Sequence, residues 1–228
     1  MPIETAEGQG FVVGRNAVWV CLGDSITEAP DGYVAVMQNL LAAAYPERNI
    51  RLVNAGVSGN RAPEMLVRLQ ADVVERRPDW VSIHVGINDI WHGFTDFESG
   101  RVLPAGDGPR GVPLEAYAAQ VEQMVARLRE ATDARIVLLT PTVIGEDVEN
   151  AASVTNVKLD RYASAMTEIA ERHGTFLVPL REEFKRAILA GRAANQAYCL
   201  TTDGVHLNAV GNFVMALGVL YTLGFGTM

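Results

Sequence analysis

Apolar positions fall into two alternating rhythms along the chain. Five short runs, Val18–Leu22, Arg51–Asn54, Trp80–Val85, Arg135–Thr140 and Phe176–Val178, are aliphatic or β-branched with few polar interruptions. That is the pattern of strands covered on both faces. Between them the spacing lengthens to a helical period. Leu114, Tyr117, Val121, Met124 and Leu128 form one stripe, and Leu159, Tyr162, Met166 and Ile169 form another, ended by His173-Gly174. Pro63-Glu64 reads as the first turn of a helix carrying Leu66, Leu69 and Val73. A last helix over about 209–223 holds Gly211 and Gly218, which predicts close packing on a neighbour.

Strands that alternate with helices predict right-handed parallel crossovers, hence an α/β fold with a doubly wound sheet and helices on both faces. No repeat, low-complexity tract or linker interrupts the pattern, so residues 1–228 are expected to form a single domain. One segment stays outside both rhythms. Residues 93–113 carry Gly93, Gly100, Pro104, Gly106, Gly108, Pro109, Gly111 and Pro113, too broken for a helix. Such a stretch reads as a substrate-rim loop, an oligomer contact or a plain surface excursion.

Composition narrows the partners. The 228 residues carry a formal net charge of −8 without clustered Lys or Arg, which argues against a nucleic-acid backbone or an anionic membrane surface. No run of about 18 apolar residues predicts a membrane-spanning helix. Met1 to Arg15 lacks a basic region followed by an apolar stretch, so a cytoplasmic protein is expected. Cys21 and Cys199 have no framework spacing and read as buried small apolar residues in a reducing compartment.

Open parallel sheets place ligands beyond the carboxyl ends of their strands. Ser25 follows the first expected strand, Gly59 the second and Asn88 the third, so three useful groups emerge on one edge. Ser25, in Gly23-Asp24-Ser25, is a candidate nucleophile that needs a base. His206 is the candidate base, and Asp203, three residues earlier, can orient it or simply cap the last helix. Backbone N–H groups of Ser25 and Gly59 and the Asn88 side-chain amide are candidate oxyanion donors, although Gly59 and Asn88 are also ordinary turn residues. Asp24 and Asp89 brace their turns in this reading, and Asp24 is also a candidate substrate contact beside the nucleophile. Trp91 either walls the site or packs under a loop. His84 reads as a buried strand histidine and His92 as a loop residue; no ligand cluster accompanies them, so no metal site is expected.

The blocks Gly23-Asp24-Ser25, Asn54-x-Gly56-x-Ser58-Gly59, Gly86-x-Asn88-Asp89 and Asp203-x-x-His206 together resemble the four signature blocks of the SGNH superfamily of GDSL-type esterases and lipases. Segments such as Ala44-Tyr45-Pro46-Glu47, Val57-Ser58-Gly59-Asn60 and Arg77-Pro78-Asp79-Trp80 are similar to the intracellular bacterial acetylxylan esterases of that superfamily. The resemblance implies a three-layer flavodoxin-like sheet, a Ser25–His206–Asp203 triad and an oxyanion hole from Ser25, Gly59 and Asn88. It also implies a small acyl ester or acetylated xylo-oligosaccharide as substrate, with no metal or cofactor, and homo-oligomerisation is a further expectation. A lysophospholipase or acyl-thioesterase on the same scaffold and a non-catalytic carbohydrate-binding protein are the alternatives.

Overall fold

A computed structural model describes residues 10–96 and 98–226 of the chain. Residues 1–9, the greater part of the Met1–Arg15 segment on which the cytoplasmic expectation rests, lie outside the described residues. Five strands, β1 Val18–Gly23, β2 Arg51–Gly56, β3 Trp80–His84, β4 Arg135–Leu139 and β5 Phe176–Val178, form one parallel sheet in the order β2-β1-β3-β4-β5. This is the flavodoxin-like order, in which strand succession reverses between β1 and β3.

Burial follows position in the sheet. Every residue of β3 is buried, and in β1 only Val18 is partly accessible. β2 departs from the expectation of cover on both faces: it is an edge strand whose Arg51 and Asn54 are exposed. One side chain caps the outer edge where β2 begins, since Gln38 Oε1 accepts from Leu52 N at 2.9 Å and Gln38 Nε2 donates to Ile50 O, just before the strand, at 3.1 Å. An edge so capped offers less of a template for another strand.

Among the described residues, eight α-helices accompany the sheet: α1 Ser25–Glu28, α2 Tyr33–Ala44, α3 Ala62–Asp72, α4 Ile87–Trp91, α5 Leu114–Ala131, α6 Val154–His173, α7 Leu180–Ala194 and α8 Ala209–Thr222. α8 packs on α2 and α7, while α5 packs on α3 and α6. The expected stripes are the buried ones: Tyr117, Val121, Met124 and Leu128 in α5, and Leu159, Tyr162, Met166 and Ile169 in α6. Gly174 ends α6 with a positive φ of 57°, a conformation glycine adopts without a Cβ penalty. Gly211 and Gly218 of α8 are indeed close approaches. A Cβ on Gly211 would stand 2.1 Å from Leu200 O, and one on Gly218 would stand 2.1 Å from Glu183 Oε2.

Two of the longer helices, α2 and α7, lie outside the elements expected above, as do the short α1 and α4. α2 buries Tyr33, Val34, Met37 and Leu41, and α7 buries Leu180, Arg181, Phe184 and Ile188. Arg181 is a buried cation, and its charge is met by Asp160 Oδ1 at 2.8 Å, Asn156 Oδ1 at 3.0 Å and Thr142 O at 3.3 Å. Such a network ties α7 to α6 and to the end of β4.

The described residues between 93 and 113 are tied together by backbone hydrogen bonds. Leu103 N donates to Phe94 O at 2.8 Å, Gly108 N to Gly93 O at 2.9 Å and Val112 N to Asp89 O at 2.9 Å. The glycines permit these approaches, since a Cβ on Gly93 would lie 2.6 Å from Gly106 O. Lys158 and Tyr162 of α6 then fasten the segment at Gly106 O and Val112 O.

Candidate functional site

Three turns leave the sheet at its carboxyl edge. The first follows Gly23, where a Cβ would lie 2.0 Å from Thr27 Oγ1, so the chain can reverse sharply into α1 with Ser25 as its first residue. Asp24 caps this short helix, its Oδ1 accepting from Ile26 N at 3.0 Å. The second turn follows Gly56, where a Cβ would meet Glu28 N at 2.2 Å. Asn54 bridges these two turns: Nδ2 donates to Thr27 O at 2.6 Å and Oδ1 accepts from Gly56 N at 2.9 Å. Gly59 lies at the crest of the second turn with φ 76°, a left-handed geometry suited to glycine. The third turn begins at Gly86, φ 125°, and starts α4 with Asn88 facing back to the second turn through a 3.1 Å bond from Nδ2 to Asn60 O. Among the described residues, no protein acceptor takes the backbone N–H of Ser25 or Gly59.

The segment between α7 and α8 reaches this edge from the other end of the chain. Ser25 Oγ and His206 Nε2 are 3.0 Å apart, and His206 Nδ1 is 2.7 Å from Asp203 Oδ2. Asp203 Oδ1 also accepts from Val205 N at 2.9 Å and His206 N at 2.8 Å. Partial burial pushes its carboxyl pKa up, but the hydrogen bonds from the His206 ring and from these two N–H groups outweigh that and pull it down to about 2. An ionised Asp203 takes the Nδ1–H tautomer, which leaves Nε2 as an acceptor toward the serine hydroxyl. The alternative role of Asp203 as a helix cap does not hold, because Asn208 caps α8, with Oδ1 accepting from Gly211 N at 2.9 Å.

Trp91 stands beside the pair, its ring 6.2 Å from that of His206 in an edge-on arrangement and partly accessible. Asp24 corrects an expectation. It is 1% exposed and caps α1, so it braces the Ser25 turn and its carboxyl is not open to a substrate. Asp89 braces across elements instead of its own turn: Oδ1 accepts from Ala62 N at 2.9 Å, at the start of α3. Cys21 is buried as expected, with burial pushing its thiol up to about 12, whereas Cys199 is exposed. Both cysteines are free.

A buried polar layer lies behind the turns. His84 Nδ1 is 3.9 Å from Asp24 Oδ1, too long for a hydrogen bond, and among the described residues neither ring nitrogen has a partner. Asp24 Oδ2 and Asp89 Oδ2 also lack partners. Burial pushes both carboxyls up to about 7 and His84 down to about 4, so all three favour the neutral form. No group of three or more His, Cys, Asp or Glu able to hold a metal ion occurs among the described residues.

Two further residues carry no signature in the sequence. Glu146 supports the His206 segment: its Oε1 accepts from Leu200 N at 2.8 Å, Thr201 N at 2.8 Å and Thr201 Oγ1 at 2.6 Å, and its Oε2 lies 3.1 Å from Arg192 Nη2. Arg68 of α3 reaches the first two turns. Neither belongs to a recognisable motif, since Glu146 lies in an acidic stretch with Asp147 and Glu149 and Arg68 sits mid-helix in α3, and folding alone reveals their acceptors and donors.

With this geometry in place, residues 21–212 match the family described as GDSL-like Lipase/Acylhydrolase. The chain belongs to that family. A curated relative, the acetylxylan esterase of Geobacillus stearothermophilus, is 30% identical over 227 residues, covering 93% of this chain and 96% of the relative. The solved structure of that esterase, Axe2, superposes with a TM-score of 0.77 at 29% identity, over 93% of this chain and 96% of Axe2. LAE5, an α/β hydrolase enzyme from the metagenome of Lake Arreo, Spain, superposes with a TM-score of 0.79 at 32% identity, over 94% of this chain and 98% of its own. Axe2 has also been solved as catalytic mutants in which a serine, an aspartate or a histidine is replaced by alanine. Among the described residues of this acylhydrolase, no helix is long and apolar enough to cross a membrane.

Proposed function

We propose that this family member is a serine esterase that removes O-acetyl groups from carbohydrates, with acetylated xylo-oligosaccharides as its substrate class. The observation that carries the reading is the chain of contacts from Ser25 Oγ through His206 to Asp203, at 3.0 and 2.7 Å. Its sugar specificity is supported by the curated acetylxylan esterase, 30% identical along nearly the whole chain.

In this reading Ser25 Oγ attacks the acetyl carbonyl carbon as His206 Nε2 takes its proton. The tetrahedral oxyanion accepts hydrogen bonds from the Ser25 and Gly59 N–H groups and Asn88 Nδ2. Collapse breaks the bond to the sugar oxygen, which leaves with the proton held by His206. Water then attacks the acetyl-Ser25 ester with His206 as base, releasing acetate and free Ser25. Trp91 provides an apolar wall beside His206 for the acetyl group or the sugar ring. Two free cysteines, one of them exposed, fit a reducing compartment and hence a cytoplasmic enzyme.

A chain-length series of aryl esters tests the substrate class, with turnover expected to peak at acetate. A maximum at long acyl chains replaces this reading with a lysophospholipase or thioesterase. Ser25→Ala tests the chemistry and is expected to lower kcat by about 10⁴-fold or more. Retention of most turnover overturns the acetyl-Ser25 mechanism, and absence of covalent labelling of the wild type by an organophosphate favours the non-catalytic carbohydrate-binding protein instead.

A further inference from the structure

Helix α3 sends one side chain back beneath the candidate site. Arg68 Nη2 donates to Gly23 O at 2.8 Å, Nη1 to Ala55 O at 2.8 Å and to Asp72 Oδ2 at 2.8 Å, and Nε to Asn60 Oδ1 at 2.6 Å. Gly23 leads into the Asp24-Ser25 turn, Ala55 is the residue of β2 just before its last, Gly56, and Asn60 follows Gly59. Asn60 O in turn accepts from Asn88 Nδ2 at 3.1 Å. One guanidinium is therefore linked to the neighbourhood of all three groups assigned to the oxyanion hole.

We propose that Arg68 is the positioning residue of that hole: it holds the Ser25 and Gly59 turns in register and, through Asn60, sets the Asn88 amide. This rests on the reading of Ser25, Gly59 and Asn88 as oxyanion donors. The register of β1 and β2 ends at the Gly23–Gly56 pair, and both donor turns lie beyond it. Past that pair the ladder no longer determines their separation. The Val57 N to Gly23 O bond, 3.1 Å, continues it by one step, and the guanidinium fork spans the rest. Arg68 is suited to this by its planar array of donors, which meets acceptors in different directions at once; an ammonium on a flexible stem has no such fixed fork. Its side chain is 15% exposed and its charge is met by Asp72, so it is held at the edge of the core without facing the ester. Hydrogen-bond donors act on a developing oxyanion only when they are already in place, and a misplacement of about 1 Å costs on the order of 10²-fold in rate.

The test is a double-mutant cycle on the full chain, with kcat and KM measured on 4-nitrophenyl acetate and thermal unfolding followed in parallel. Arg68→Met is expected to lower kcat by roughly 10²-fold with KM changed by less than about threefold, and Arg68→Lys by roughly tenfold. Combined with Asn88→Ala, the Met variant is expected to cost at least about tenfold less than the product of the two single losses, since the amide it positions is gone. Losses that multiply in full, or a loss confined to KM, overturn the proposal. If Arg68→Met does not fold, Arg68→Lys with Asn88→Ala carries the same cycle. Undiminished kcat in Asn88→Ala alone removes the hole itself and the proposal with it, an outcome distinct from full multiplication.

Discussion

Ser25 and Asn88 leave the ends of strands whose side chains are sealed in the core, whereas His206 and Asp203 hang in a segment with no helix or strand of its own. Asn88 is 3% exposed; the side chains of His206 and Asp203 are 40% and 50% exposed. The two halves therefore depend on different forces. On the donor half, backbone position follows from the sheet and from glycines that exclude any Cβ. On the base half, the Asp203–His206 pair is too exposed to hold the segment, since accessible ion pairs contribute only about 0–1 kcal/mol. It orients the imidazole. Stability there comes from Glu146, 7% exposed, whose hydrogen bonds from Leu200 and Thr201 are of the charge-assisted kind worth about 1.5–3 kcal/mol each. It also comes from the approach of Gly211 to Leu200 O. In the proposed mechanism, a rigid donor half facing a clamped but open base half leaves the serine accessible from solvent and the oxyanion contacts preorganised.

The contrast is broken most severely on the donor half. Asn88→Ala is expected to lower kcat by roughly 10²–10³ with KM little changed, the usual loss for one oxyanion donor. Steady-state kinetics on a small acetyl ester decides, and a loss below about threefold takes Asn88 out of the hole. On the base half, Glu146→Ala leaves every reacting group in place yet frees the segment that carries His206. Turnover is expected to fall roughly tenfold, the cost of looser alignment, together with faster amide hydrogen exchange at Leu200 and Thr201. Unchanged exchange at those two amides would show that the clamp lies elsewhere.

The smallest effect separates the halves by pH. Burial raises the folded pKa of Asp89 to about 7, so its stabilising share is present at acidic pH and is lost as pH rises from the ordinary carboxylate range through about 7. Asp89→Asn keeps the oxygen that accepts from Ala62 N and removes the ionisation. The melting temperature of the variant relative to wild type is expected to rise between about pH 4 and 7 and then level off. A difference that stays flat across that window contradicts the buried, neutral-favouring layer. Asp203 gives the opposite sign, its carboxyl being held down at about 2, but it is too exposed for a measurable share of stability.

Much of this was legible before folding. Near-continuous apolar runs place all five strands within about two residues, because a strand sealed on both faces tolerates little else. The turn motifs also speak directly, since Gly23 and Gly56 stand where any side chain would strike the neighbouring turn. β2 misleads on cover because an edge strand and a central one can share a composition while differing in what lies beside them. Asp24 misleads because adjacency to Ser25 in sequence carries no information on which way the carboxyl turns, and here it turns inward to cap α1.

What sequence by itself determined is local: the strand and helix rhythms, the glycines at the sheet edge, and an aspartate placed to meet a histidine three residues on. Tertiary structure alone decided the meeting of Ser25 with His206 across 181 residues, the reach of Arg68 to three separate segments and the seating of Leu200 and Thr201 on Glu146. Periodicity reports which face of an element is buried, but a hydrogen bond between distant segments depends on strand order and on loops that carry no period. Those contacts exist only once the sheet has brought its carboxyl ends together.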